Sequence, residues 1–349
     1  MNARAPLRII GVGNCWEHVH PDVIYVPEGF AGFSYWIVFT SYPLANDLLE
    51  NPIIRASHDG MTWQSVTGIT DPVVAPPDSC EIHHADPELI YKSGYLHLVY
   101  ASIHRRTDEA TFNCMKCKSD LHWSEPVVIQ RDIGAVSPTF QIDGEVFHEW
   151  FIRMNMNDFN HSELFHRDGS DLTSLGHERK CHLDIPGYVA WHVDVLKVDG
   201  TYEALIAAYP RGTDESRTRL FHLTSKDGLS FELESNKPLI EPSSLGWDNR
   251  MIYRSTFLKS KGGTYRVWYS AASWGCHFGI GLLQGTLDSL EEPTTVSAPV
   301  PSYVRRLPGE VEGWLRYEAR HRLPARLLSL APTAFFRNRT RRYTLPHGL

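Results

Sequence analysis

Apolar runs recur along this chain at a spacing of roughly 45 to 60 residues, each introduced by a short polar opening. The first is His20-Pro21-Asp22-Val23-Ile24-Tyr25. Four later stretches can be laid on it: Asp86-Pro87-Glu88-Leu89-Ile90-Tyr91, Ser137-Pro138-Thr139-Phe140, His192-Val193-Asp194-Val195-Leu196 and Arg254-Ser255-Thr256-Phe257-Leu258. After a turn, each is followed by a second apolar run, at residues 35–42, 95–103, 146–154, 202–209 and 265–271. Four units add a polar turn containing Asp, at residues 57–63, 119–123, 167–169 and 225–231. Helical periodicity is hard to find before residue 300. Several short strands per period predict an all-β chain folded as a five-bladed β-propeller.

The units are expected at 18–75, 82–130, 134–184, 187–241 and 250–298, with Pro-rich joins at 72–77, 238–242 and 293–301. The domain reading is an N-terminal extension over 1–17, a propeller over 18–298 and an appendage over 299–349. A strand at 7–12 would close the ring or cover an edge. Beyond Pro308 the texture becomes helical, with Val311, Trp314, Leu315 and Leu323 as an apolar stripe.

Charge separates the appendage from the body. The net charge of the 349 residues is −7, yet residues 301–349 hold ten Arg against three Glu, leaving an acidic body. That balance argues against nucleic acid as a partner. It makes the Arg-rich end a candidate surface for a membrane or an acidic protein. No apolar run is long enough to predict a membrane-spanning helix, and the opening residues show no secretory signal, so a cytoplasmic setting is expected. The six cysteines are then read as free thiols, Cys114 and Cys117 included.

The inner strands of a propeller line its axis, and ligands bind at one mouth. Two sets of equivalent positions follow, two residues apart in each inner strand: His20, Asp86, Ser137, His192 and Arg254, then Asp22, Glu88, Thr139, Asp194 and Thr256. A core packed for stability alone would not gather such groups at matching points of separate blades. Paired carboxylates are what glycosidic cleavage needs, one to protonate the leaving oxygen and one to attack or to activate water. Asp22, Asp86, Glu88 and Asp194 are the candidate catalytic groups. His20, His84, His192 and Arg254, with Trp16 and Trp191 as stacking surfaces, are the candidate substrate contacts. No cofactor is required, though a channel cation such as calcium fits the polar lining.

These stretches resemble the five-bladed β-propeller glycoside hydrolases, the arabinanase, xylosidase and invertase type of families 43 and 32. Asp86-Pro87 opening a strand and Ser119-Asp120-Leu121-His122-Trp123 in a turn carry the resemblance, which covers about residues 18–298. It implies hydrolysis of a glycan or glycoconjugate by three acids from separate blades, with Asp86 matching the Asp of the family's Asp-Pro opening. The acid Glu of the family is missing: its sites hold Val136 and Trp191. That departure leaves open a second reading, a carbohydrate-binding, glycan-assembly or transglycosylating protein on the same scaffold. The six-bladed sialidase fold is the rival, but the turn at Ser57 to Trp63 is one residue short of its box.

Overall fold

The computed structural model describes residues 4–275 and 277–293, and the helical appendage expected over 299–349 lies outside them. The five units are five sheets, antiparallel but for one short strand added to the fourth. Blade 1 is β1 (His18–Phe30), β2 (Phe33–Ser41) and β3 (Pro52–Ser57). Blade 2 is β4 (Ile82–Lys92), β5 (Tyr95–His104), β6 (Glu109–Cys117) and β7 (Val127–Ile133). Blade 3 is β8 (Ala135–Asp143), β9 (Val146–Met154), β10 (Ser162–Gly169) and the short β11 (Arg179–Lys180). After the short β12 (His182–Leu183), blade 4 runs β13 (Tyr188–Val198), β14 (Thr201–Pro210), β15 (Arg219–Ser225) and β16 (Ser230–Leu233), with β12 joining β16 in parallel. Blade 5 is β17 (Met251–Lys259), β18 (Tyr265–Ala272), β19 (Phe278–Thr286) and β20 (Ser289–Glu291). The inner strands β1, β4, β8, β13 and β17 pack side by side in that order, and β17 returns to β1.

Each blade twists and buries both faces, so the apolar core lies between neighbouring blades. Trp36, Val38, Leu89 and Leu98 fill the joint of blades 1 and 2; Trp150, Ile152, Val193 and Phe221 fill that of blades 3 and 4. The expected strand at residues 7–12 does not form. That stretch runs without sheet pairing, yet Leu7 and Ile9 pack between blades 5 and 1 beside Trp268, Ile280, Val23 and Ile37.

Every inner strand carries a bulge where the polar opening lies. The register slips between Val19 and Asp22, Ala85 and Glu88, Val136 and Thr139, Ala190 and His192, and Ile252 and Ser255. In the first three blades the slip is made by a left-handed residue before proline: His20 (φ 54°), Asp86 (φ 47°) and Ser137 (φ 54°). Such conformations are strained for residues with a Cβ and persist where surrounding structure holds them. The bulge turns the polar residue toward the mouth of the axis while the strand below continues down the channel.

Candidate functional site

The two sets of axial residues occupy two levels, and the lower level is a ring of inter-blade ties. Asp22 accepts from Leu89 N of blade 2 (2.7 Å), and Glu88 from Phe140 N of blade 3 (3.2 Å). Thr139 Oγ1 accepts from Val195 N of blade 4 (3.5 Å), and Asp194 from Phe257 N of blade 5 (3.0 Å). Thr256 Oγ1 closes the circle by accepting from Val23 N of blade 1 (3.4 Å). Each side chain thus holds the amide one position past its own equivalent in the next blade. The remaining oxygens are also used: Thr256 donates to Asp22, Thr139 to Asp194 and Arg254 to Glu88.

This level is closed to solvent. Burial pushes the Asp22 carboxyl up to about 6 and that of Asp194 to about 7, and Glu88 is raised well above its ordinary value by burial and by its neighbours Asp22 and Asp194. Three carboxyls face one guanidinium there, and low polarity favours their neutral forms. The sequence reading of Asp22, Glu88 and Asp194 as groups touching substrate therefore meets a physical obstacle. They do lie together on the axis, but beneath the pocket floor and fully engaged.

The upper level is as deeply buried but differs in what its polar atoms hold and in lining a pocket. Asp86 Oδ1 lies 3.5 Å from His20 Nε2 and 3.6 Å from His192 Nδ1, and also accepts from Arg254 (3.2 Å). Asp86 Oδ2 accepts from Ser137 N (2.8 Å), which fixes the carboxylate. His20 Nδ1 meets Thr40 Oγ1 (3.2 Å), leaving Nε2 aimed at the cluster. Neither ring nitrogen of His192 has a hydrogen-bond partner among the described residues. Burial lowers His20 to about 4 and His192 well below the imidazole range, so both rings are neutral near pH 7. Burial alone would raise Asp86, but His20, His192 and Arg254 outweigh it and hold the carboxyl well below the usual range.

His20, Asp86 and His192 line a pocket of ≈ 120 Å³ at the channel mouth. Its walls include Trp191 and Tyr253, stacked edge to face at 4.7 Å, and His83, Asp47, Glu50 and Arg105 also line it. Arg105 pairs with Asp47 at 3.1 Å, joining the loops of blades 1 and 2. Of the expected substrate contacts, His20, Trp191 and His192 stand in this pocket. Arg254 is buried beneath it, donating to Asp86, Glu88 and Pro138 O. His84 points the other way, onto Ser102 Oγ (3.1 Å) and Tyr100, because neighbours in a strand alternate; its predecessor His83 takes the wall. Trp16 lies beside His277, with ring centres 5.9 Å apart, away from the pocket wall.

Sequence reasoning missed His83, Tyr253, Asp47 and Glu50. His83 and Tyr253 each adjoin a residue that was singled out, and which neighbour faces the pocket is set by the bulge in its strand. Asp47 and Glu50 come from the loop joining β2 and β3, where no periodicity marks them. Val136 and Trp191, where the resembled family keeps acids, are pocket walls here.

No family model matches the chain. A curated relative, the A type blood N-acetyl-alpha-D-galactosamine deacetylase of Flavonifractor plautii, is 28% identical over 307 aligned residues. The match takes in 72% of this chain, and the chain spans only 40% of the length of that relative. Among solved structures, an N-acetylgalactosamine deacetylase from F. plautii in complex with blood group B trisaccharide superposes with a TM-score of 0.73 at 22% identity, covering 81% of this chain and 94% of that one. A thermostable family-43 glycoside hydrolase superposes at 0.58 and 13%, covering 86% and 99%. An exo-1,5-alpha-L-arabinanase from a bovine ruminal metagenomic library does so at 0.54 and 12%, covering 79% and 97%. The fold is the five-bladed propeller of the family-43 glycoside hydrolases, shared with the deacetylase.

Proposed function

We propose that this chain removes an acyl group from a glycan, hydrolysing the N-acetyl amide of an amino sugar at the pocket around Asp86. The observation that carries the reading is the convergence of His20 Nε2 and His192 Nδ1 on one oxygen of Asp86, at 3.5 and 3.6 Å, on the floor of that pocket. Metal bonds of about 2.1 Å at tetrahedral angles set neighbouring donor atoms roughly 3.4 Å apart. The donor atoms of this trio all fall within 4.8 Å of one another. Neutral imidazoles facing a carboxylate, one ring without hydrogen-bond partners, suit a divalent cation better than they suit each other. Two nitrogens and one oxygen favour a borderline transition metal such as zinc over calcium, which takes oxygen ligands.

A divalent cation held there would supply Lewis-acid activation of a carbonyl. The chain itself supplies the rest. Trp191 and Tyr253 offer apolar faces for the sugar ring, and Thr40 and Ser137 orient His20 and Asp86. Glu50 and His83 are the acid–base groups of the walls, suited to take a proton from water and return it to the departing amine. Water adds to the carbonyl carbon, the C–N bond breaks, and acetate and a protonated amino sugar leave. The relative's deacetylase activity supports this reading, and the engagement of the lower carboxylates weighs against cleavage of the glycosidic bond.

A glycosidase remains the second reading, favoured by Asp86, Asp47 and Glu50 sharing one pocket on a family-43 scaffold. The product separates them. Incubation with a glycan ending in N-acetyl-α-D-galactosamine is expected to release acetate, to stop with a chelator and to resume with added zinc or manganese. Free sugar without acetate would overturn the proposal in favour of the glycosidase. Neither product, with a melting temperature still raised by the glycan, would favour a binding protein.

A further inference from the structure

A second lobe adjoins the pocket, of ≈ 150 Å³ against ≈ 120 Å³ for the first, and the two share His83, Ile103, Val136 and Trp191 as a common wall. Its own surface comes from Met156, Phe159 and Tyr209 between blades 3 and 4, with Asp108 and Glu215 at the edge. Strand ends supply most of its lining, and the loops joining β5 to β6, β9 to β10 and β14 to β15 add Asp108, Met156 with Phe159, and Glu215.

The lobe is held in shape before anything enters. Tyr209, near the end of β14, donates its hydroxyl to Phe159 O (2.5 Å), so its ring is fixed by the backbone of the loop joining β9 to β10. Gly212 N donates to Asn160 Oδ1 (2.7 Å), and Arg211 donates to Asn160 O (2.7 Å), tying that loop to the one joining β14 to β15. Gly134, at φ +76°, lets the chain pass under Met154 and Met156: a Cβ there would meet Met154 O at 2.6 Å.

We infer that this lobe binds a second sugar ring, the neutral hexose joined to the acylated amino sugar, so that the substrate is recognised as a unit of two sugars or more. The inference rests on the function proposed above. A hexose has C–H-rich faces that pack on aromatic and thioether surfaces, and equatorial hydroxyls that donate to carboxylates. Met156, Phe159, Trp191 and Tyr209 supply the first kind of contact, and Asp108 and Glu215 the second. Trp191 stands in both lobes and would meet both rings. The acidic edge excludes anionic sugars. Val136 and Trp191, standing where the resembled hydrolases keep acids, thus become the divide between two sugar positions.

The test compares three probes: methyl N-acetyl-α-D-galactosaminide, its octyl counterpart, and a disaccharide in which the same sugar is joined to a neutral hexose. In the wild type the disaccharide is expected to show a kcat/KM for acetate release at least tenfold above the methyl glycoside, with the octyl glycoside no better than the methyl one. Phe159→Ala is expected to erase most of the disaccharide's advantage. Equal kcat/KM for methyl glycoside and disaccharide would overturn the inference while leaving the deacetylation intact; a preference for the octyl glycoside would replace the sugar with an alkyl group. If no probe yields acetate, calorimetric binding decides: tenfold tighter binding of the disaccharide, weakened by Phe159→Ala, supports the lobe, and equal binding overturns it. Should Phe159→Ala lose its cooperative thermal transition, Met156→Ala carries the same comparison.

Discussion

Asp22, Glu88, Asp86 and Asp194 are buried carboxylates on one axis, yet their chemistry divides by what their oxygens already hold. Asp22 spends one oxygen on Leu89 N and the other on Thr256, and Asp194 does the same with Phe257 N and Thr139. An amide can replace either carboxylate and still accept from the backbone, so Asp22→Asn and Asp194→Asn are expected to keep acetate release per folded molecule within about threefold. Asp86→Asn keeps the bond from Ser137 N but loses the charge that faces two imidazoles, and a fall of about 10² or more in kcat/KM is expected. A loss of that size in Asp22→Asn or Asp194→Asn, with the melting temperature unchanged, would return those residues to the reaction. Removing the acceptor altogether is a different experiment. Asp194→Ala strands the Phe257 amide at a cost of about 1–3 kcal/mol for each group left unsatisfied, visible as a lowered denaturation midpoint. At this scale the residue types and their equivalence between blades were legible in the chain. Their level was not, because it depends on a bulge whose phase only the paired strand reveals.

Blades are joined as elements by contacts that a strand pattern only half announces. Trp150 of β9 donates its indole N–H to Gly228 O in the turn of blade 4 (2.7 Å), and Trp268 of β18 donates to Gly60 O in the turn of blade 1 (3.0 Å). In both turns an Asp side chain caps two following amides: Asp59 for Met61 and Thr62, Asp227 for Leu229 and Ser230. The recurring Asp turns were visible in the sequence as repeats, and their role as docking points for a tryptophan of the preceding blade was not. Blades 4 and 5 add an ionic joint. Glu203 of β14 accepts from Lys259 of β17 (2.6 Å), Tyr265 of β18 (2.7 Å) and His222 of β15 (3.0 Å). Burial alone would raise this carboxyl, but the hydrogen bonds from His222, Lys259 and Tyr265 outweigh it and leave it at about 2. Its folded value lies below its unfolded value, so the unfolded chain binds the proton first as pH falls. The stabilisation is therefore complete above roughly pH 4.5 and fades toward pH 2. Glu203→Gln should melt lower than the wild type at pH 6, with the gap narrowing as pH is taken from 5 to 3. A gap constant over that window would mean the joint holds by packing rather than by charge.

The whole molecule is a ring, and a ring is weakest where its ends meet. Blade 1 contributes three strands, and its joint with blade 5 is made partly by residues that belong to neither. Arg4 pairs with Asp248 (3.0 Å) and Leu7 N donates to Ile280 O (2.7 Å), fastening the N-terminal segment to blade 5. His18 Nε2 meets Ile9 O (3.1 Å) and Arg55 donates to Ile10 O (3.0 Å), fastening it to blade 1. Between these anchors Ile9, 1% exposed, fills the wedge against Val23, Ile37, Trp268 and Ile280. The sequence showed an apolar stretch able to close the ring or cover an edge, and its action as a staple without sheet pairing follows from anchors scattered through residues 18 to 280. Ile9→Ala removes buried methylene and methyl groups from this wedge and should cost about 2–4 kcal/mol. Leu164→Ala, at the joint of blades 3 and 4, is the matched control, since Leu164 is equally buried. Both variants lower the melting temperature, but only Ile9→Ala should open the closure. In native-state hydrogen exchange, protection is then lost first in β1 and β17 to β19, while β8 and β9 keep theirs. Protection falling evenly over all five blades in Ile9→Ala would show that the ring melts as one unit and that the N-terminal segment is ordinary core rather than a closure.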